Sequence, residues 1–85
     1  MKSFTYTITD SKGMHARPAG VLVKKAKEFP CDIQIEANGK RTDARKMFAL
    51  MGLGIKAGDT VTITASGDRE EEAAAELEAF LKQNL

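Results

Sequence analysis

The sequence has no tryptophan, one cysteine and one histidine, and these shortages exclude several kinds of site. With a single cysteine, Cys31, the chain cannot form an intramolecular disulfide, and one further ligand, His15, does not complete a structural zinc site. No glycine-rich phosphate loop of a nucleotide-binding enzyme occurs either. We therefore expect no metal and no cofactor, and we expect a reducing, cytoplasmic compartment.

The sequence also lacks a large excess of one charge and a long apolar run. The 13 basic and 12 acidic side chains nearly cancel, which argues against a nucleic-acid-binding surface. No segment approaches the roughly 18 apolar residues of a membrane span, and the start, MKSFTYTITD, alternates in polarity unlike a signal peptide. We expect neither a nucleic-acid partner nor membrane insertion, and one domain that spans residues 1–85.

Hydropathy periodicity predicts seven elements in the order βαββαβα. Apolar and polar residues alternate in four segments, which is typical of strands with one buried face: 3–9, 31–37, 40–43 and 60–66. Helical spacing follows in three segments: from Ala16 up to Pro30, over 45–53, and from about residue 68 onward. We therefore expect an α+β open-faced sandwich, in which three helices cover one face of a four-stranded, mainly antiparallel sheet.

Local signals refine the element ends. The pair Asn38-Gly39 is typical of a type I′ turn, and it predicts a hairpin whose short, charged second strand lies at the sheet edge. Asp68 and Glu71 fit a D-x-x-E variant of the capping box at the start of the last helix. Cys31 shares the parity of the apolar residues in its strand, which predicts a buried, inert thiol.

The segment GMHARPA, residues 13–19, is where the sequence combines residues into a chemical site. His15 stands where a loop becomes the first helix, so the free N–H groups of Ala16 and Arg17 lie at an anion-binding helix end. That end disfavours the imidazolium form, the Arg17 guanidinium can hold phosphoryl oxygens, and Gly13 allows a sharp turn. These parts suit a histidine that receives a phosphoryl group; a surface or capping histidine is equally consistent with the residues alone.

Around GMHARPA the sequence resembles HPr, the histidine-containing phosphocarrier family of the bacterial phosphoenolpyruvate-dependent sugar phosphotransferase system. The resemblance extends to the Asn38-Gly39 hairpin, MGLG at 51–54 and GDTVTITASG at 58–67. It implies that Nδ1 of His15 accepts a phosphoryl group from phosphorylated enzyme I and passes it to the A domains of sugar-specific enzyme II. Ala16 and Arg17 would bind the phosphoryl group, and the chain would be a carrier and not an enzyme in the turnover sense.

The resemblance also implies a docking surface for these partners, built from the start of the first helix and the short second helix. Its residues in this sequence would be Gly20, Lys24, Lys27, Arg45, Met47, Phe48 and Met51, next to Ala16. Core packing is the alternative for the apolar residues of the second helix; we expect Leu50 in the core, and Met47 and Phe48 at the docking surface. With no other exposed apolar stripe, we expect a monomer.

One position departs from the pattern of this family. Many HPr proteins carry a regulatory serine where this sequence has Lys46, which a kinase cannot phosphorylate, so we expect no such regulation here. Two alternative hypotheses are also consistent with the sequence. One is a paralogue in a regulatory or nitrogen-type phosphorelay, and the other is a regulatory binding module that is not phosphorylated.

Overall fold

The computed structural model describes all residues from 1 to 85, and its elements follow the predicted order. They are β1 (Lys2–Thr7), α1 (Ala16–Ala26), β2 (Asp32–Ala37), β3 (Lys40–Asp43), α2 (Met47–Met51), β4 (Thr60–Ser66) and α3 (Glu70–Asn84). The four strands form one antiparallel sheet in the order β1-β4-β2-β3. The α+β fold class and the edge position of β3 are thereby confirmed.

One face of the sheet is buried beneath the helices, and the other is open. In β2, Ile33 and Ile35 are fully buried, whereas Asp32 and Glu36 are exposed. The helices contribute one apolar stripe each: Ala19, Leu22, Val23 and Ala26 from α1, Leu50 from α2, and Ala73, Leu77, Phe80 and Leu81 from α3. Burying a large apolar side chain contributes about 1.5–3 kcal/mol, so this shared core sets the positions of all three helices.

The turn between β2 and β3 has the predicted backbone. Asn38 has φ 54° and Gly39 has φ 77°, the two positive angles that a type I′ turn requires. The Asn38 amide also donates hydrogen bonds to the Leu53 carbonyl at 3.0 Å and to the Asp59 carboxylate at 3.2 Å. The hairpin is therefore tied to the loop that precedes β4.

Two helices are shorter than their apolar spacing predicts. Helix α1 ends at Ala26, and Phe29 reaches the core from the turn that follows. Helix α2 covers five residues instead of 45–53. At its start, the carboxylate of Asp43 accepts the backbone N–H of Arg45 at 2.8 Å, and this Asx turn holds residue 45 outside the helix.

The predicted capping box at α3 is wrong. The residue before α3 is Arg69, in the left-handed region with φ 61°, and no side chain caps the helix. Because the chain bends sharply there, Asp68 lies outside the helix start, and Glu70 instead accepts the Gly67 N–H at 3.0 Å. The acidic residues of the first turn still complement the helix dipole. Cys31 is buried as predicted.

Candidate functional site

His15 immediately precedes α1, and its backbone is still extended, with φ −90° and ψ 179°. Its carbonyl oxygen accepts the Ala19 N–H at 3.0 Å, which begins the hydrogen bonding of the helix. The N–H groups of Ala16 and Arg17 have no acceptor within the chain, because the residues one turn earlier belong to the loop. This geometry presents two free donors and the positive helix end beside the imidazole.

The loop that leads to His15 is fixed by contacts with the segment before β4. The backbone N–H of Met14 donates to the Ile55 carbonyl at 3.1 Å, and the Met14 side chain is buried in the core. Gly13 has φ 65°, and a Cβ atom there would lie 2.5 Å from the same Ile55 oxygen. Only glycine therefore fits at position 13 without displacing the backbone next to His15.

His15 faces a shallow depression between the start of α1 and the end of α3. The depression has a volume of about 290 Å³ and is lined by Asp10, His15, Arg17, Pro18, Val21, Phe80 and Asn84. The imidazole is 35% exposed, and Arg17 is exposed at the rim. The predicted phosphoryl-site residues His15, Ala16 and Arg17 are therefore brought together at one accessible helix start.

Asp10 is a neighbour of His15 that the sequence reasoning missed, since its segment was interpreted only as a turn. One oxygen of the Asp10 carboxylate lies 3.9 Å from Nε2 of His15. The other accepts the backbone N–H of Lys12 at 2.8 Å. An aspartate two residues before Lys12 is the sequence signal for this Asx turn, but the turn by itself does not predict that Asp10 lies beside His15.

The residues predicted for docking differ in exposure. Phe48 is 93% exposed and Met51 is 38% exposed, whereas Met47 is half-buried against the core. Leu50 is fully buried, which confirms its predicted place in the core. Gly20 and Lys24 lie on α1 and Lys27 directly follows its last residue; all three are exposed, and their i, i+4, i+7 spacing places them on one side of the helix.

Arg45 has partners that count against its predicted place on the docking surface. Its guanidinium donates to both oxygens of Asp43, at 3.0 and 2.8 Å, and lies 3.7 Å from Asp32. Asp43 pairs with Gln34 across the β2–β3 ladder, so both carboxylates project from the open face of the sheet, away from the helices. The hydrogen bond from Arg45 lowers the pKa of the Asp43 carboxyl. We therefore do not assign Arg45 to the docking surface.

Lys46, which the resemblance places where many relatives have a regulatory serine, is exposed and directly precedes α2. Its side chain makes no capping hydrogen bond to the helix.

Within the structure, no group of three or more His, Cys, Asp or Glu side chains is placed to hold a metal ion.

The fold and the site together define a small α+β protein that presents one histidine at the start of its first helix. A family model described as the PTS HPr component phosphorylation site matches residues 2–83. The chain belongs to the HPr family of phosphocarrier proteins of the phosphotransferase system.

Two relatives described as phosphocarrier protein HPr match nearly the whole chain. The phosphocarrier protein HPr of Vibrio cholerae is 43% identical over 76 residues, which is 89% of each chain. That of Mycoplasma genitalium is 40% identical over 85 residues, covering 99% of this chain and 97% of the relative. The crystal structure of HPr-C-His from Thermoanaerobacter tengcongensis is 36% identical, with a TM-score of 0.93, and the match covers 98% of this chain and 93% of that one.

A second crystal structure from Thermoanaerobacter tengcongensis is that of an HPr dimer. It matches with a TM-score of 0.78 at 36% identity, covering 98% of this chain and 95% of that one. The monomeric state expected for this chain therefore stays a prediction.

No helix in the structure combines the length and the apolar character that crossing a membrane requires.

Proposed function

We propose that this chain carries a phosphoryl group from phosphorylated enzyme I to the A domains of sugar-specific enzyme II, on Nδ1 of His15. The observation that carries the proposal is the place of His15, a partly exposed imidazole beside the unpartnered N–H groups of Ala16 and Arg17. Membership of the HPr family supports the carrier role, and the helix-start geometry supports the choice of residue.

In the proposed transfer, the Nδ1 lone pair of His15 attacks the phosphorus atom held by the donor. An N–P bond forms at Nδ1 while the bond to the donor atom breaks, and that electron pair returns to the donor. The phosphoryl oxygens accept hydrogen bonds from the N–H groups of Ala16 and Arg17, and the Arg17 guanidinium adds charge. Such transfer needs mainly positioning and charge stabilisation from the protein. A second protein must then discharge His15, so the chain is a carrier.

The partners would dock on the exposed surface beside His15. We assign to this docking surface the residues Gly20, Lys24, Lys27, Met47, Phe48 and Met51. An aromatic ring that is almost fully exposed, as in Phe48, suits insertion into a partner's pocket, and flexible methionines suit more than one partner. Lys24 and Lys27 complement an anionic, phosphorylated protein. We propose that the chain acts as a monomer in the cytoplasm.

The proposed function is tested by the mass of the intact protein after incubation with phosphoenolpyruvate, Mg²⁺ and a catalytic amount of enzyme I. We expect one added phosphoryl group that brief acid treatment removes, because phosphohistidine is acid-labile. His15→Ala should gain none, and Arg17→Ala should gain it about tenfold more slowly, the effect of losing one charge-assisted interaction. An acid-labile phosphoryl group on His15→Ala would assign the acceptor to another residue.

The same assay separates the alternative hypotheses when the donor is varied. Phosphorylation by a nitrogen-type enzyme I, and not by the sugar-system protein, would place the chain in a regulatory phosphorelay. If neither donor phosphorylates a folded sample, the chain would be a binding module. A circular-dichroism spectrum of His15→Ala that matches the unmodified chain serves as the folding control, since His15 lies outside the core.

A further inference from the structure

Asp10 holds a fixed place beside the His15 ring. Its backbone N–H donates to the Leu85 oxygen at 2.9 Å, and its carbonyl accepts the Gly13 N–H at 2.9 Å. One carboxylate oxygen accepts the Lys12 N–H at 2.8 Å, so three hydrogen bonds hold the residue in place. The remaining oxygen, Oδ2, is left to face Nε2 of His15 at 3.9 Å.

We propose that Asp10 is a positioning residue: its carboxylate keeps the ring proton of His15 on Nε2 and thereby leaves Nδ1 as the nucleophile. This inference rests on the proposed function, because it explains which nitrogen accepts the phosphoryl group. A neutral imidazole has one N–H and one lone pair, and the group that faces each nitrogen decides where the proton lies. A carboxylate only accepts hydrogen bonds, so it favours an N–H on the nitrogen that it faces. The acidic member of a catalytic triad orients its histidine by the same principle.

The distance decides how strong this effect is. At 3.9 Å the contact is longer than a hydrogen bond, so Asp10 acts through its charge on the ring. When the N–P bond forms at Nδ1, the proton on Nε2 stays in place, and the ring becomes positively charged opposite the carboxylate. Both side chains are about one-third exposed, at 35% and 31%, so solvent partly screens the attraction. The expected contribution to the rate is therefore moderate.

Asp10 and Arg17 have different roles beside the His15 ring. Asp10 and Arg17 are the charged residues that line the depression with His15, and the rest of the lining is uncharged. Arg17 has no acceptor atoms, so it cannot hold the ring proton and is suited to the phosphoryl oxygens. Asp10 supplies the negative charge for the ring, and it would repel a phosphoryl group on Nε2. Both effects direct the phosphoryl group to Nδ1.

Asp10→Asn tests this inference, because the side-chain oxygen of asparagine can still accept the Lys12 N–H while the charge is removed. The matched control is Asp68→Asn, which removes an exposed carboxylate at the opposite end of α3. Nitrogen-15 chemical shifts of the His15 ring, recorded at about pH 8.5 where imidazole is neutral, report the tautomer. We expect the Nε2–H tautomer in the unmodified chain and in the control, and a larger share of Nδ1–H in Asp10→Asn.

Phosphorylation rates with enzyme I complete the test. We expect Asp10→Asn to react about fivefold more slowly than the control, the effect of one partly screened charge at this distance. A wild-type tautomer ratio in Asp10→Asn, or a shifted ratio with an unchanged rate, would overturn the inference. If the unmodified chain is not phosphorylated at all, the proposed function fails. The tautomer ratio then still shows whether Asp10 orients the ring.

Discussion

Gly13 controls the site through the side chain that it lacks. Gly13 has φ 65°, and the Cβ atom of an alanine there would lie only 2.5 Å from the Ile55 oxygen, so alanine does not fit. We expect Gly13→Ala to lower the free energy of unfolding by about 2–3 kcal/mol, since a strained backbone and a clash with main-chain atoms add up. Urea unfolding measures this loss. We also expect slower phosphorylation, because His15 lies two residues away.

Gly54→Ala is the matched control for Gly13. Gly54 has φ 66°, but no atom lies within 4 Å of a built Cβ. We expect Gly54→Ala to lower the free energy of unfolding by about 1 kcal/mol, because alanine is strained in the left-handed backbone conformation. The phosphorylation rate should stay unchanged. Equal losses of stability in the two variants would show that contact with Ile55 does not constrain the loop.

At the scale of elements, the ion pair between Arg45 and Asp43 connects the end of β3 to the start of α2. The hydrogen bond from Arg45 lowers the pKa of Asp43. The Asp43 carboxylate therefore binds a proton more readily in the unfolded chain than in the folded chain. The pair stabilises the fold above the ordinary aspartate pKa, and this stabilisation is lost as the pH falls through the lowered value.

Arg45→Gln tests this connection. We expect the variant to lose about 0.5–1 kcal/mol of unfolding free energy at pH 7, a value that allows for solvent screening, and less as the pH falls below about 4. Urea unfolding at several pH values measures the difference. The rate of phosphorylation by enzyme I should not change, because the guanidinium lies on the open face of the sheet. A large fall in that rate would return Arg45 to the docking surface.

Helix α2 begins with an unfavourable residue. Lys46 precedes it with no capping hydrogen bond, and its positive charge opposes the helix dipole. We expect Lys46→Ser to raise the free energy of unfolding by about 0.5–1 kcal/mol, because a serine hydroxyl can cap the free N–H groups. Lys46→Ala removes the charge without adding a cap. If alanine stabilises the protein as much as serine in thermal unfolding, capping is not the cause.

At the scale of the whole molecule, α2 holds the proposed docking residue Phe48 and the core residue Leu50 two positions apart. Phe48 is 93% exposed, whereas Leu50 is fully buried. We expect Phe48→Ala to leave the free energy of unfolding nearly unchanged. We expect it to raise the KM of enzyme I for this chain about tenfold, because exposed aromatic residues often dominate an interface. Leu50→Ala should instead cost about 2–4 kcal/mol of stability. An unchanged KM for Phe48→Ala would remove this residue from the docking surface.

The sequence by itself determined the order of the elements and most of the strands. Residues 40–43 and 60–66 form strands with the predicted bounds, and the Asn38-Gly39 turn has the predicted backbone. These features depend on alternation and turn preference, which act between near neighbours along the chain. The place of His15 before the first helix was determined in the same way, by the change of period after the loop.

Only the tertiary structure decided which side chains meet. Asp68 fits a capping pattern, but the bend at Arg69 excludes it from the start of α3. Arg45 lies next to α2 in sequence, but the pairing of β3 with β2 places its two carboxylate partners on the open face. Asp10 reaches His15 because the loop folds back against the end of α3. Such contacts depend on how strands pair and loops close, and local preference along the chain does not encode them.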